Sequence, residues 1–562
     1  MNLQVPASLS SHDKDLRSRV RLFGDLLGQV LRGRKGVAVL ERVDQPLAED
    51  LPLIREVRAS LSKCLENQMM GQAGLPYPDY ASYRLEDMPR LYSGCYGLGS
   101  RDLQPEALLT AVENMLPDGQ QKPFFYLSVD FVHEQAGTPK QEIHQQKLID
   151  AYPQIRNLAI RGSENPDLTP EGSITVRMHS VGGWGAITTG KNLAMTLFDL
   201  LGFDIRANPK YGSEKKGQPT TYYLSAAPEP IRLNCEYHFV DVVMSPDPNV
   251  FSHSNPLYGL KKGGVFIIQS SLETADELWA SFPRHARQAI IDNEFRVYFL
   301  DGFRIAREEA SNPDLQYRMQ GNAFQGAFFA ASPLMEKANL DETGLFEAID
   351  KQLRYKFGSK GERIVQDNLR VVRRGFDEIH EITDKQLGAA SLEPQRKEAG
   401  LPVMLKQVPE ADGGISDVHR FWEQTGSFYI SGQGEENLAD PYIGLGIIPA
   451  SSGVFRDMTQ IRFEYPQYVA ENCTACGNCF SVCPDSAIPG LVNSISDVFE
   501  TTISRIETRG QPTVYLRRAA RDVEKRLRAL IEPVGETAEV DKLLEQSVLA
   551  TLSESELEDE NK

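Results

Sequence analysis

Apolar residues along this chain recur in two rhythms. Between 36 and 44 (GVAVLERVD) they crowd into a short run that predicts a buried strand, and over 50–66 Leu51, Ile54, Val57, Leu61 and Leu65 fall at helical spacing. The theme repeats over 92–115, where YSGCYGLGS predicts a glycine-rich turn and a helix runs from Gln104-Pro105 through Val112. FFYLSVDFV at 124–132 predicts another strand, and 137–172 is polar and punctuated by proline, as a linker between domains is. A domain boundary is expected near 170.

From 173 the pattern predicts strand SITVRMHSV, a glycine turn, a helix over 187–202, then strands TYYLSAA, VDVVMS (240–245), GGVFIIQSS and FRVYFLDGFRI. Such alternation argues for an α/β class with an open, mostly parallel sheet. Residues 344–387 are amphipathic and helical in pattern, while 388–425 mix proline, glycine and charge as a tether does. QIRFEYPQY (460–468) reads as strand-like, and Leu516, Ala520, Val523, Leu527 and Leu530 mark a C-terminal helix with one apolar face.

Length then bounds the architecture, since 562 residues exceed one compact core and predict three or four domains. No apolar stretch is long enough to span a bilayer, and residues 1–20 lack the apolar core of a secretory signal. With seven cysteines, four of them clustered, a reducing, cytoplasmic setting is expected. A net charge of -18 argues against nucleic acid as a partner, because phosphate binding needs basic patches.

The clustered cysteines carry the chemistry. Cys473, Cys476, Cys479 and Cys483 form C-x-x-C-x-x-C-x-x-x-C-P with Pro484, the spacing by which bacterial ferredoxins hold 4Fe-4S clusters. Thiolates are soft ligands for iron-sulfur cores, and two-residue gaps let one loop wrap three of them around a cubane. Gly477 relieves crowding in that loop, and Phe480 and Val482 are expected to keep water from the ligands. Zinc is the competing reading, because paired C-x-x-C units also hold that ion. In two-cluster ferredoxins the Cys before Pro ligates the other cluster, yet 79 residues follow Cys483 without a cysteine. The expectation is that Cys473, Cys476 and Cys479 hold one cluster while Cys483 joins another completed by a partner polypeptide or a removed C-terminal half. One cluster held by all four is the alternative.

Two further loops are candidates. HSVGGWGAITTGKNLA (179–194) follows a strand and opens a helix, and Gly185 to Asn192 reads G-x-x-x-x-G-K-N. A P-loop needs Ser or Thr where Asn192 stands, so tight helix-sheet packing by Gly182, Gly183 and Gly185 outweighs nucleotide hydrolysis. KYGSEKKGQPT (210–220) sets Lys210, Lys215 and Lys216 in a loop expected to be exposed, where they either meet a phosphorylated ligand or serve solubility. His179 and His253 sit beside turns with no visible catalytic partner, and Cys64 and Cys95 read as packing residues.

At this point the chain resembles the 2-oxoacid:ferredoxin oxidoreductases, and most closely their single-chain pyruvate:ferredoxin (flavodoxin) branch. RKGVAVLERVDQPLAEDLPL and YSGCYGLGSRDLQPEAL resemble the second, transketolase C-terminal-like domain. RMHSVGGWGAITTGKNLA, HSNPLYGLKKGGVFIIQS and RYKFGSKGERIVQDNLRVV resemble the γ domain, and ENCTACGNCFSVCPDSAI resembles the first half of the ferredoxin-like insert. The layout so implied is a transketolase C-terminal-like domain over 1–136, a linker over 137–172 and a γ domain over 173–387. A tether over 388–425, a partial ferredoxin-like 4Fe-4S domain over 426–495 and a helical segment over 496–562 complete it.

The resemblance implies decarboxylation of a 2-oxoacid such as pyruvate on thiamine diphosphate with magnesium, electrons leaving singly through the clusters, and coenzyme A taking the acyl group. The family binds thiamine through a Gly-Asp-Gly motif, and no such triplet occurs in this sequence. The expected partners are therefore thiamine-binding chains that also supply cluster ligands, with ferredoxin or flavodoxin as acceptor and a dimer of assemblies overall. Because the γ domain packs over the coenzyme A site in this family, Lys210, Lys215 and Lys216 become candidates for its phosphates. A non-catalytic iron-sulfur assembly or regulatory protein is the reading from another class.

Overall fold

Strands of both expected kinds, buried runs and half-polar alternations, assemble two sheets in the computed structural model. It describes residues 22–45, 48–71, 74–132, 139–211, 217–233, 235–311, 316–387, 400–409, 413–430, 434, 437–438, 441–450, 452–455, 467–469, 472–474, 476–483, 488, 490 and 493–554. The chain divides into two units, Met1–Val469 with Pro484–Ser486, and Ala470–Cys483 with Ala487–Lys562.

In the first unit, β1 (Gly36–Glu41), β2 (Arg90–Cys95) and β3 (Phe124–Tyr126) form a three-stranded parallel sheet in the order β1-β2-β3. Helix Pro52–Met70 buries Ile54, Val57 and Leu61 on one side, as its spacing predicts, and helix Pro105–Met115 buries Ala107 and Ala111 on the other. The glycine-rich turn expected at YSGCYGLGS is half strand, because Tyr92 to Cys95 belong to the central strand β2. The glycine is there for space: a Cβ on Gly94 would stand 2.5 Å from Leu40 and 2.7 Å from the Phe125 ring. The strand expected over 124–132 is shorter, ending at Tyr126, and Asp130 forms only an isolated bridge to Leu438. Residues 139–151, inside the polar stretch, form a helix.

The larger sheet has seven strands among the described residues, in the order β10-β9-β8-β7-β4-β6-β5. They are β4 (Ile174–Val181), β5 (Asp204–Lys210), β6 (Pro219–Ala227), β7 (Val240–Ser245), β8 (Leu260–Gln269), β9 (Arg296–Leu300) and β10 (His380–Ile382). The centre β9-β8-β7-β4 is parallel, whereas β6, β5 and β10 pair antiparallel, so this sheet is mixed. Strand β5 escapes the hydrophobic pattern because it is polar and carries Pro209, features an edge strand tolerates.

Side chains alternate across β4. Ile174, Val176 and Met178 enter the core under helices Ala186–Leu201, Gln316–Ala331, Glu342–Phe357 and Glu362–Asp377, while Thr175, Arg177 and His179 are buried and polar on the other face. A second core under helices Ala275–Ser281 and Arg284–Asp292 holds Val243, Phe266, Ile268 and Val297. Each such side chain, fully buried, contributes roughly 1.5–3 kcal/mol. Helices Gln316–Ala331 and Glu362–Asp377 meet backbone to backbone: a Cβ on Gly375 would lie 2.0 Å from the Ala323 carbonyl oxygen, and one on Gly326 would lie 2.0 Å from that of Val372.

In the second unit, helices Ile495–Thr508, Val514–Val534 and Val540–Ser553 pack through Ile503, Val523 and Leu527. Ser494 caps the first of these by accepting the Asp497 N–H at 3.1 Å. The expected apolar face of Val514–Val534 is shorter than its sequence pattern, because Leu516 is exposed. The strand-like reading of 460–468 lies mostly outside the described residues.

Candidate functional site

The cysteine loop is built by one left-handed glycine and one helical turn. Gly477, at φ 76°, reverses the chain so that Asn478–Ser481 forms a short helix, closed by Ser481 N–H to Gly477 O at 3.1 Å. Cys473, Cys476 and Cys479 are exposed and Cys483 is half-buried, and none of the seven cysteines is in a disulfide. The Asn478 N–H and the Thr474 hydroxyl reach the Cys476 sulfur and hold its pKa below the ordinary thiol value.

This donor set suits an iron-sulfur cluster in kind: four soft sulfurs at ferredoxin spacing, one already hydrogen-bonded in a way that favours its anion. Among the described residues no three metal-ligating side chains converge on a common point. The expected shielding by Phe480 and Val482 is not present, since they are 47% and 76% exposed. Phe480 instead lies against backbone: a Cβ on Gly490 would stand 2.8 Å from its ring and one on Gly477 3.0 Å. Its ring therefore packs the loop onto the returning chain while Cys473, Cys476 and Cys479 stay exposed.

The glycine loop after β4 is a packing device. Gly183 and Gly185 have φ of 94° and 90°, and Gly185 precedes helix Ala186–Leu201. A Cβ on Gly190 would lie 2.4 Å from the Tyr222 ring, so the helix sits directly on β6. Asn192, where a P-loop carries its hydroxyl, is buried, accepting from Lys356 Nζ at 2.6 Å and donating to Asn322 at 3.4 Å. Burial, then neighbouring Lys191, presses the Lys356 pKa down.

Of the three candidate lysines, Lys210 ends β5 with its Nζ 2.5 Å from Glu236, so its charge is met by a carboxylate. Lys215 and Lys216 lie outside the described residues. Cys64 and Cys95 are core residues. Burial first, then Asp44 and Glu41, pushes the Cys95 thiol up to about 12.

Sequence reasoning passed over the polar side of β4. His253 Nε2 lies 2.6 Å from Asp247, and His179 accepts from Arg177 Nε at 3.1 Å. Burial first, then Arg177 and His253, drives His179 well below its ordinary pKa, so the ring is neutral. Burial likewise lowers the Arg177 pKa. The signal was present in the alternation of Thr175, Arg177 and His179 with Val176 and Met178.

Comparison with known proteins places these features. Residues 175–378 match the family profile described as pyruvate ferredoxin/flavodoxin oxidoreductase, and residues 466–488 match that of a 4Fe-4S binding domain. Pyruvate:ferredoxin oxidoreductase of Moorella thermoacetica is 22% identical over 81% of this chain and 33% of its own length. Pyruvate-flavodoxin oxidoreductase of Klebsiella pneumoniae is 23% identical over 81% and 33%. A solved pyruvate oxidoreductase subunit PORC from Thermotoga maritima aligns with 37% of this chain and 98% of its own, at 20% identity and a TM-score of 0.28. The chain thus spans about a third of the length of the curated relatives it matches. Over residues 175–378 it carries a pyruvate ferredoxin/flavodoxin oxidoreductase domain, on the same polypeptide as a 4Fe-4S binding motif.

Proposed function

We propose that this chain is the electron-carrying and scaffolding part of a 2-oxoacid:ferredoxin or flavodoxin oxidoreductase whose substrate is pyruvate. The observation that carries this reading is the order of parts on one polypeptide: an oxidoreductase domain over 175–378 followed by the C-x-x-C-x-x-C-x-x-x-C-P run at Cys473, Cys476, Cys479 and Cys483. A bound 4Fe-4S cluster supplies a one-electron relay. Cys473, Cys476 and Cys479 hold it as thiolates, and Cys483 contributes to a second cluster completed elsewhere. The Asn478 N–H and Thr474 hydroxyl at Cys476 stabilise negative charge on sulfur, which tunes the potential of whatever it ligates. Open sulfurs suit a loop that a partner surface covers.

In this reading thiamine diphosphate and magnesium sit on partner chains, consistent with the lack of a Gly-Asp-Gly triplet. Coenzyme A meets Lys215 and Lys216, and Lys210, which pairs with Glu236, is the third candidate for its phosphates. The working setting is the cytoplasm, and among the described residues no helix is long and apolar enough to cross a membrane.

The test is co-purification of the chain with its companions under anaerobic conditions, followed by reduction of a viologen dye on adding pyruvate and coenzyme A. Dye reduction that Cys476→Ser abolishes supports the proposal, while a companion-free chain holding a full, stable complement of iron refutes the divided cluster set. An assembly or regulatory protein would give iron without any pyruvate-dependent reduction.

A further inference from the structure

Between the segment leading into helix Pro105–Met115 and the polar face of β4 and β6 lies a cavity of about 160 Å³, with Gln104, Asn165, Arg177, Tyr223, His238 and Tyr258 in its wall. That volume is several times the ~30 Å³ share of one liquid water. Arg177 is only 4% exposed there. Its Nε donates to His179 Nε2 at 3.1 Å, and its Nη2 donates to the carbonyls of Pro256, at 2.9 Å, and Tyr258. Every one of those acceptors is neutral. Among the described residues Nη1 has no partner, and no carboxylate pairs with the guanidinium.

The other charges of the wall are engaged. Arg161 pairs with Asp130 at 2.5 Å and approaches Glu106 at 3.8 Å, Lys210 holds Glu236, and Asp102 accepts the Glu236 backbone N–H at 2.8 Å. Arg101 donates to the carbonyls of Ser128 and Asn437. A second feature is independent of charge. Gln104 is 7% exposed and donates through Nε2 to Glu236 O at 2.8 Å, while its Oε1 meets no donor among the described residues. Buried cations are ordinarily paired and buried acceptors ordinarily satisfied. The two residues that leave these requirements open, Arg177 and Gln104, both line one cavity.

We propose that this cavity binds a small, singly charged oxyanion that also carries a hydroxyl group, its oxygen on Arg177 Nη1 and its hydroxyl donating to Gln104 Oε1. A 2-hydroxycarboxylate and dihydrogen phosphate share that chemistry. The site stands on the polar face of β4, remote in sequence from the cysteine loop, and needs neither cluster nor thiamine.

The test is calorimetric titration of the full chain with sodium phosphate, lactate and acetate at constant ionic strength in chloride, repeated on Arg177→Gln and Gln104→Leu. Saturable binding of phosphate or lactate is expected, weakened at least about tenfold by Arg177→Gln, one decade being about 1.4 kcal/mol. Gln104→Leu is expected to weaken lactate and leave acetate, which lacks the hydroxyl, unchanged. Lactate binding without phosphate binding identifies the carboxylate source, and the reverse identifies inorganic phosphate. No saturable binding of either to the wild-type chain, or equal affinity in Arg177→Gln, overturns the proposal. If Arg177→Gln does not fold, the Gln104→Leu comparison decides, and equal losses for lactate and acetate overturn it.

Discussion

Gly375→Ala places a methyl group where two helices touch through their backbones. In an unconstrained helix interior the change would stabilise by up to about 1 kcal/mol, because glycine is the poorer helix former. Here the new Cβ would stand 2.0 Å from the Ala323 carbonyl oxygen of the facing helix. Close carbon-oxygen contacts settle near ~3.3 Å, so helices Gln316–Ala331 and Glu362–Asp377 must part by more than ~1 Å locally. Backbone cannot swing away as a side-chain tip can, and a gap of that size forfeits a quarter to a half of the dispersion attraction across it. The fully buried Phe324, Phe328, Val371 and Val372 pack around that contact. Overpacking at the upper end of the ~1–3 kcal/mol range, less the helix-propensity gain, leaves a net loss of about 2 kcal/mol. Native-state hydrogen exchange of the amides of helix Gln316–Ala331 is the assay, since it reads one region of a chain that need not unfold in a single step. The expected result is about 30-fold faster exchange there. Gly344→Ala is the control: its nearest neighbour is Asp341 at 3.6 Å, and it should leave exchange in its own helix unchanged or slower. If Gly375→Ala slows exchange as the control does, the backbone contact is not as close as described.

Asn192→Ser restores the hydroxyl of a P-loop but removes the acceptor of Lys356 Nζ and the donor to Asn322; it should cost about 1.5–3 kcal/mol in unfolding stability and yield no saturable binding of a fluorescent ATP analogue. Pulsed alkylation of the native chain at pH 8 should modify Cys476 well before Cys64 and Cys95, because its thiol pKa is lowered while burial raises theirs; comparable rates by peptide mass spectrometry would contradict the burial argument. For Asp167, burial raises the carboxyl pKa, but hydrogen bonds from Thr169, Tyr237 and Lys261 outweigh it and hold the value at about 2. A depressed pKa stabilises the fold above the unfolded value and is lost as pH falls from about 4 to about 2. With the side chain 36% exposed, solvent screening reduces this to on the order of 1 kcal/mol. Asp167→Asn should therefore lower the denaturation midpoint at pH 7 and converge on the parent toward pH 2; a constant difference across that window would remove the ionic contribution.

Much was legible from the chain alone wherever the signal was local. The spacing of Ile54, Val57 and Leu61 placed helix Pro52–Met70, the apolar runs placed β7, β8 and β9, and the cysteine spacing declared its ligand chemistry, because each depends on residues a few positions apart. Strand β5 was not legible: its edge position is conferred by pairing with β6, and its own residues are polar. Gly94 looked like a turn residue until Leu40 and Phe125 showed why a central strand needs the space. The same holds for function. The four cysteines at ferredoxin spacing are legible in the sequence, whereas the inward turn of Asn192 toward Lys356 and the exposure of Phe480 are decided by what packs nearby. Most of all, Arg177 and Gln104 stand 73 residues apart (177 minus 104), and nothing in either neighbourhood announces the other. Sequence determined which groups are available, since side-chain chemistry and periodicity are written residue by residue. Only tertiary structure decided which of them are left without partners, because burial and hydrogen bonding belong to surfaces that distant segments close together.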